Sequence, residues 1–275
     1  MSDLASGLAL EATGPAPYIA GGLAVSGVAV AWSRRRELIR RWLTWAVTAP
    51  LVGGAFLLGR PGVTVLAAAL AVGCALEYAR LVRMPALDRA VLLAGLIGIL
   101  GVAAVEPAGL GRAAYAVPLI AVLPAVLEGD ARQGGRRAAS LAFGLLWIGA
   151  LAGLVILGHR AFAVIVAVSV GDVAAWCAGK ACRGPRLSPL SPGKRVSGAI
   201  GAALVGSAVL WAFGALSPAL MIAVALGAPM GDLVESMLKR EAGAKDAGSW
   251  LPGFGGLLDR VDSLLLALLL ALVLS

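Results

Sequence analysis

The chain has 275 residues, of which 60% are hydrophobic and 14% charged, and its formal net charge is +8. Soluble domains run at about half apolar and about a quarter charged, so this composition excludes one and predicts an all-α polytopic transmembrane helix bundle, a single domain over 1–275 with room for about 10 spans. The positive charge does not indicate nucleic acid, because the basic residues sit in short groups between apolar runs, the pattern of cytoplasmic membrane loops.

Taken in order, the opening MSDLASGLALEATGPAP has no basic segment ahead of its apolar residues and does not read as a cleaved signal peptide. A first span is expected at 18–32. It ends in SRRRELIRRW, whose arginines (Arg34, Arg35, Arg36, Arg40 and Arg41) mark the cytoplasmic side. Spans at 44–58 and 63–82 follow, joined by a tight turn at Gly59, Arg60, Pro61 and Gly62. Further spans are expected at 90–105, 113–127, 138–157, 161–179, 196–216 and 219–234, with a last one at 264–274, a count of ten with a margin of one.

If the spans alternate, 20 of the 23 basic residues fall on one side, leaving Arg60, Arg112 and Arg160 on the other. That asymmetry places the loops with Arg80, Arg132, Lys180 and Lys239 in the cytoplasm and both termini outside; the expected location is the cell inner (plasma) membrane. The sole histidine, His159, then lies in a non-cytoplasmic turn and reads as a surface residue. Cys74, Cys177 and Cys182 are odd in number and match no zinc spacing, which argues against disulfides and thiolate metal sites. No fixed-period repeat is visible, which speaks against an inverted-repeat transporter.

The dense charge lies in 231–263, between apolar runs. Asp232, Ser236 and Lys239 are spaced i, i+4, i+7 and share a helical face, with Arg240 one position on. A carboxylate, a hydroxyl and a cation in a row can hold a metal-bound phosphate; an amphipathic helix end is the plain alternative. Asp259 and Asp262, at i, i+3, open the last span. Two carboxylates so placed favour a hard divalent cation that shares its oxygen shell with phosphate, although a helix N-terminus by itself also favours acids. Between the two helices, a glycine-rich segment lets backbone amides approach a ligand. Together these parts imply metal-dependent chemistry on a phosphorylated substrate at the cytoplasmic surface, and they do not name the substrate.

Ser236, Lys239-Arg240, Lys245-Asp246, Gly248, Pro252-Gly253-Phe254-Gly255-Gly256 and Asp259-Arg260-Val261-Asp262 together read S-x-x-K-R-x(4)-K-D-x-G-x(3)-P-G-x-G-G-x-x-D-R-x-D. This closely resembles the signature of the phosphatidate cytidylyltransferase family, also called CDP-diacylglycerol synthases. Upstream, Gly171-Asp172 with Trp176 and Gly179-Lys180 looks like the family's acid-bearing span. Ser191-Pro192-Gly193-Lys194-Arg195 with Gly198 and Gly201 is similar to its S-P-x-K-[TR]-x-x-G-x-x-G loop. The resemblance covers 160–275, and the N-terminal half only through topology and Glu77. Two positions depart from the family: Phe254 stands where histidine is usual, and Ser197 where glutamate is usual.

The resemblance implies that CTP and phosphatidate, the latter in the lipid bilayer, give CDP-diacylglycerol and diphosphate. It implies Mg²⁺ on Asp232, Asp259 and Asp262, with Lys239 as the catalytic cation. Ser191, Lys194, Arg195, Ser236, Arg240, Lys245, Asp246 and Arg260 are the expected substrate contacts, and Asp172 a supporting acid nearby. A related CTP-dependent transferase on another lipid phosphate or lipid alcohol, a transporter using Asp172 and Asp232, and a catalytically degenerate relative stay open at this point. So does the oligomeric state, a homodimer included.

Overall fold

The computed structural model describes residues 36–244, 246–248 and 255–275, with backbone alone over 36–45. The first expected span, 18–32, lies outside them, as do Lys245 and Phe254. The described chain is helical apart from one small hairpin. Its helices are α1 (Arg36–Leu57), α2 (Gly59–Leu81), α3 (Ala86–Val105), α4 (Leu110–Leu127), α5 (Gly134–Gly149), α6 (Ala152–Leu157) and α7 (His159–Cys182). The antiparallel strands β1 (Arg186–Ser188) and β2 (Ser191–Arg195) follow. The chain ends in α8 (Val196–Ala212), α9 (Pro218–Ile222), a π-helical turn (Ala223–Gly227), α10 (Ala228–Glu241) and α11 (Leu258–Leu274).

Six segments are long and apolar enough to cross a membrane: Gly59–Leu81, Ala86–Val105, Pro107–Leu127, Gly134–Leu157, His159–Cys182 and Pro218–Glu241. Ala46–Leu57 and Val196–Ala212 are shorter apolar helices. The all-α membrane bundle is therefore as expected, while the described helices do not establish ten crossings.

Three local readings change. The turn expected at 59–62 is the first turn of α2, because Gly59 alone makes the corner at φ 68° and Pro61 fits a first helical turn that needs no donor. The span expected at 138–157 is broken at Ala150 and Leu151. The span expected at 219–234 is interrupted by the π-helical turn immediately ahead of Pro229, which has no N–H to continue the regular ladder.

The loops rich in basic residues meet at one end of the bundle. Arg137 on α5 makes a paired contact with Asp88 on α3 (3.0 and 2.6 Å) and also reaches Asp130 (3.0 Å) and Glu128 (2.8 Å). Arg136 reaches Glu241 at the end of α10 (3.2 Å), and Arg240 Nε donates to the Leu190 carbonyl of the hairpin. At the other end Arg60 donates to the Ala103 carbonyl (2.8 Å). Arg136, Arg137 and Arg240 thus lie together at one end of the bundle and Arg60 at the other.

The site is framed by two close helix crossings. Helices α7 and α8 pack along much of their length through small residues: a Cβ at Gly198 would lie 2.7 Å from the Ala175 carbonyl oxygen, and one at Gly201 2.6 Å from the Ala178 Cβ. The two glycines of the G-x-x-G motif are therefore packing residues that draw α8 onto α7. Helices α10 and α11 close in the same way at Gly231, where a Cβ would meet the Asp262 carbonyl oxygen at 2.3 Å.

Candidate active site

The two crossings leave a cavity of about 1080 Å³ between α7, α8, the hairpin, α10 and α11. Its inner part is lined by small apolar groups, Ala167, Val168, Ala202 and Val224, and its outer part by charge. Because α10 and α11 touch at Gly231, the acids within a turn of it are forced together. Asp232, Glu235 and Asp262 each offer a carboxylate oxygen, and these oxygens lie within 4.8 Å of one another. Glu235 and Asp262 are buried, at 1% and 6% exposure. Among the described residues Glu235 Oε1 is buried without a hydrogen-bond partner, an arrangement that would cost about 1–3 kcal/mol if nothing ever met it. An all-oxygen, three-carboxylate cluster with an orphaned buried oxygen fits a hard divalent cation.

Two lysines balance these acids. Lys239 Nζ donates to Glu235 Oε2 (2.6 Å) and to Asp259 Oδ1 (2.8 Å). Lys194, brought in by β2, pairs with Asp232 Oδ2. Burial pushes the Lys194 ammonium below the usual lysine range, opposed by the negative charge of Asp262 and Asp172. Asp259 adjoins the cluster through Glu235, with which it shares Lys239. Its carboxylate accepts Lys239, the Gly256 N–H (2.7 Å) and the Ala247 N–H (3.0 Å), so it fastens the glycine-rich loop to the lysine.

Of the residues expected from the sequence, Asp172, Lys194, Arg195, Asp232, Lys239, Asp246, Asp259, Arg260 and Asp262 line this one cavity. Ser191, Ser236 and Arg240 are not among its lining, and Arg240 is turned to the hairpin. Lys245 and Phe254 fall outside the described residues. Ser197, at the position where the resemblance expects glutamate, donates its hydroxyl to the Arg183 carbonyl and closes the base of the hairpin.

Glu235 is the residue that sequence reasoning passed over. It lies i+3 from Asp232 and i−4 from Lys239, so the spacing that put Ser236 on the functional face allowed Glu235 equally well.

Comparison with known proteins bears on the whole of this region. A family model described as the cytidylyltransferase family matches residues 39–275. The phosphatidate cytidylyltransferase of Pseudomonas aeruginosa is 35% identical over 261 residues, 84% of this chain and 94% of that protein. Those of Brucella suis and Synechocystis are 47% identical over 105 residues and 41% identical over 112. These two matches cover 35% and 38% of this chain but only 39% and 37% of the relatives' own lengths.

Proposed function

Because the chain belongs to the cytidylyltransferase family, we propose that it is a phosphatidate cytidylyltransferase of the bacterial inner membrane, working at the cytoplasmic face. The observation that carries this is the meeting of Asp232, Glu235 and Asp262 with Lys194 and Lys239 in one cavity whose inner wall is apolar. A charged mouth over an apolar interior suits a lipid that carries a phosphate. The outer wall adds Arg195 and Arg260, so a nucleoside triphosphate and a lipid phosphate, both anions, can be held side by side.

A phosphate oxygen of phosphatidate attacks the α-phosphorus of CTP. The new P–O bond forms as the bond to the β-phosphate bridge breaks, and diphosphate leaves. The attacking oxygen is already ionised near neutral pH, so no side chain need remove a proton. The work of the chain is positioning and charge neutralisation. Asp232, Glu235 and Asp262 would hold a divalent cation, Mg²⁺ by the oxygen donor set, which when bound offsets the charge of the triphosphate. Lys239, held by Asp259, faces the same space, and Lys194 can exchange Asp232 for a phosphate.

The test is purified protein with CTP, phosphatidate and Mg²⁺. CDP-diacylglycerol and diphosphate should form in equal amounts, stop with chelator, and fall by about 10²-fold or more in Asp262→Asn. CTP consumption that needs a polyprenol instead of phosphatidate, or ion flux into proteoliposomes with no CTP consumed, would replace this reading.

A further inference from the structure

Glu77 lies on α2, outside the elements that frame the cavity, and is 1% exposed. Each of its two oxygens accepts a backbone N–H. Oε1 accepts the Leu257 N–H at 2.9 Å and Oε2 the Leu258 N–H at 2.7 Å, so one carboxylate satisfies two of the free amides that open α11. Negative charge is favoured at that helix end, and a carboxylate accepting backbone amides makes the stronger, charge-assisted kind of hydrogen bond.

The same group occupies the space behind the glycine-rich loop. A Cβ at Gly248 would lie 2.3 Å from Glu77 Oε1, and one at Gly256 2.5 Å from Oε2. Two glycines of the signature are therefore glycines because this carboxylate fills the space where their side chains would be. One turn earlier on α2, Gly73 makes room for Leu257, whose Cδ2 lies 2.5 Å from where a Cβ would stand. Asp259 and Asp262 follow Leu258 within the first turn and a half of α11, so whatever fixes the start of this helix fixes them.

We propose that Glu77 is a positioning residue. It pins the first turn of α11, with Gly248 and Gly256 packed against it, and so sets where Asp259 and Asp262 stand against Lys239, Asp232 and Glu235. The anchoring rests on the reading of those acids as the site, but it does not itself require cytidylyl transfer. A carboxylate that only filled the core could lose one acceptor without changing how the distant acids bind a cation.

The experiment uses the full chain in nanodiscs with Glu77→Gln, which keeps the shape but offers one acceptor oxygen to two N–H groups. Hydrogen exchange is read over 255–263 and over α7, Mn²⁺ binding by electron paramagnetic resonance, and turnover with CTP and phosphatidate. Exchange over 255–263 should quicken and Mn²⁺ affinity should fall, each by about tenfold, the loss expected for one hydrogen bond to a charged group. Turnover should fall at least as far, and exchange in α7 should stay as in wild type. Unchanged exchange over 255–263 together with unchanged Mn²⁺ affinity overturns the proposal, whatever the turnover. A wild type inert toward phosphatidate would sink the functional reading alone, since exchange and metal binding still decide Glu77. If Glu77→Gln does not fold, Gly248→Ala crowds Oε1 with Glu77 in place: quickened exchange over 255–263 supports the anchor and wild-type exchange overturns it.

Discussion

In Gly231→Ala, one methyl group is placed where α10 and α11 come closest. The new carbon would start 2.3 Å from the Asp262 carbonyl oxygen and 3.0 Å from Ser263 Cα, both backbone atoms that cannot swing aside. Ordinary contact requires the helices to part by about 1 Å. The seam is closed again one turn earlier, where a Cβ at Gly227 would lie 2.7 Å from Ala267 Cα, so the strain is not relieved by tilting one end. Overpacking of this kind costs about 1–3 kcal/mol of stability, which a bundle of this size can absorb while staying folded. The chemistry is less forgiving. Oxygens of Asp232 and Glu235 on one helix and Asp262 on the other, now within 4.8 Å of one another, would be spread by that same distance. A misplacement of about 1 Å costs on the order of 10²-fold in rate.

The assay is the initial rate of CDP-diacylglycerol formation across a Mg²⁺ titration, paired with Mn²⁺ binding by electron paramagnetic resonance. Gly54→Ala on α1 is the control, since nothing lies within 4 Å of a Cβ there. Gly231→Ala should turn over about 10²-fold more slowly and bind metal more weakly, while Gly54→Ala behaves as wild type. A Gly231→Ala protein within about twofold of wild type in both readouts would refute the argument that this crossing sets the site.

Two further outcomes follow from the loops. Cysteines introduced at the exposed positions Ala131 and Ala108 should differ in intact cells, with only position 108 labelled by an impermeant reagent; labelling at 131 would reverse the orientation. Asp130 is held below the usual carboxylate range by the Gln133 N–H, the Arg137 guanidinium and the Arg132 N–H. Its contribution to stability should be complete above the unfolded value of about 3.9 and be lost as pH falls through the lower folded value. Thermal melts in detergent should show that acid loss flattened in Asp130→Asn, and an unchanged acid limb would contradict the assignment.

Much of the site could be read in the sequence because it is local. Asp232 with Lys239, and Asp259 with Asp262, lie within two helical turns of each other, and helical spacing alone pairs them. What spacing could not decide was which of two permitted faces is used. Positions 232, 235 and 239 satisfy a helical face as well as 232, 236 and 239 do, and the choice is made by where α11 crosses, at Gly231. The same crossing separates two aspartates that the sequence treats alike: Asp262 joins the acidic cluster, and Asp259 turns to Lys239 and the loop amides. The glycines of the G-x-x-G motif show a related limit. A sequence marks them as permissive backbone, and only the α7–α8 contact shows that they are needed for close packing. Glu77 is marked only by the family resemblance and could not be joined to its partners, which lie 180 and 181 residues away with no local pattern to connect them.

That separation has a consequence for the order in which the enzyme is made. At synthesis rates of about 5–20 residues per second, roughly 10–40 s pass between the emergence of Glu77 and that of Leu258. Through that interval the acid of α2 lacks the amide partners it has in the folded chain, and a buried acceptor left unmet costs free energy. The arrival of α11 relieves it, satisfying the acid and two helix-opening amides in one docking step. The same step delivers Asp259 and Asp262, so until α11 docks Asp232 and Glu235 stand without the acid that completes their cluster. On the proposed reading of those acids, the cluster of Asp232, Glu235 and Asp262 is complete only once α11 has docked.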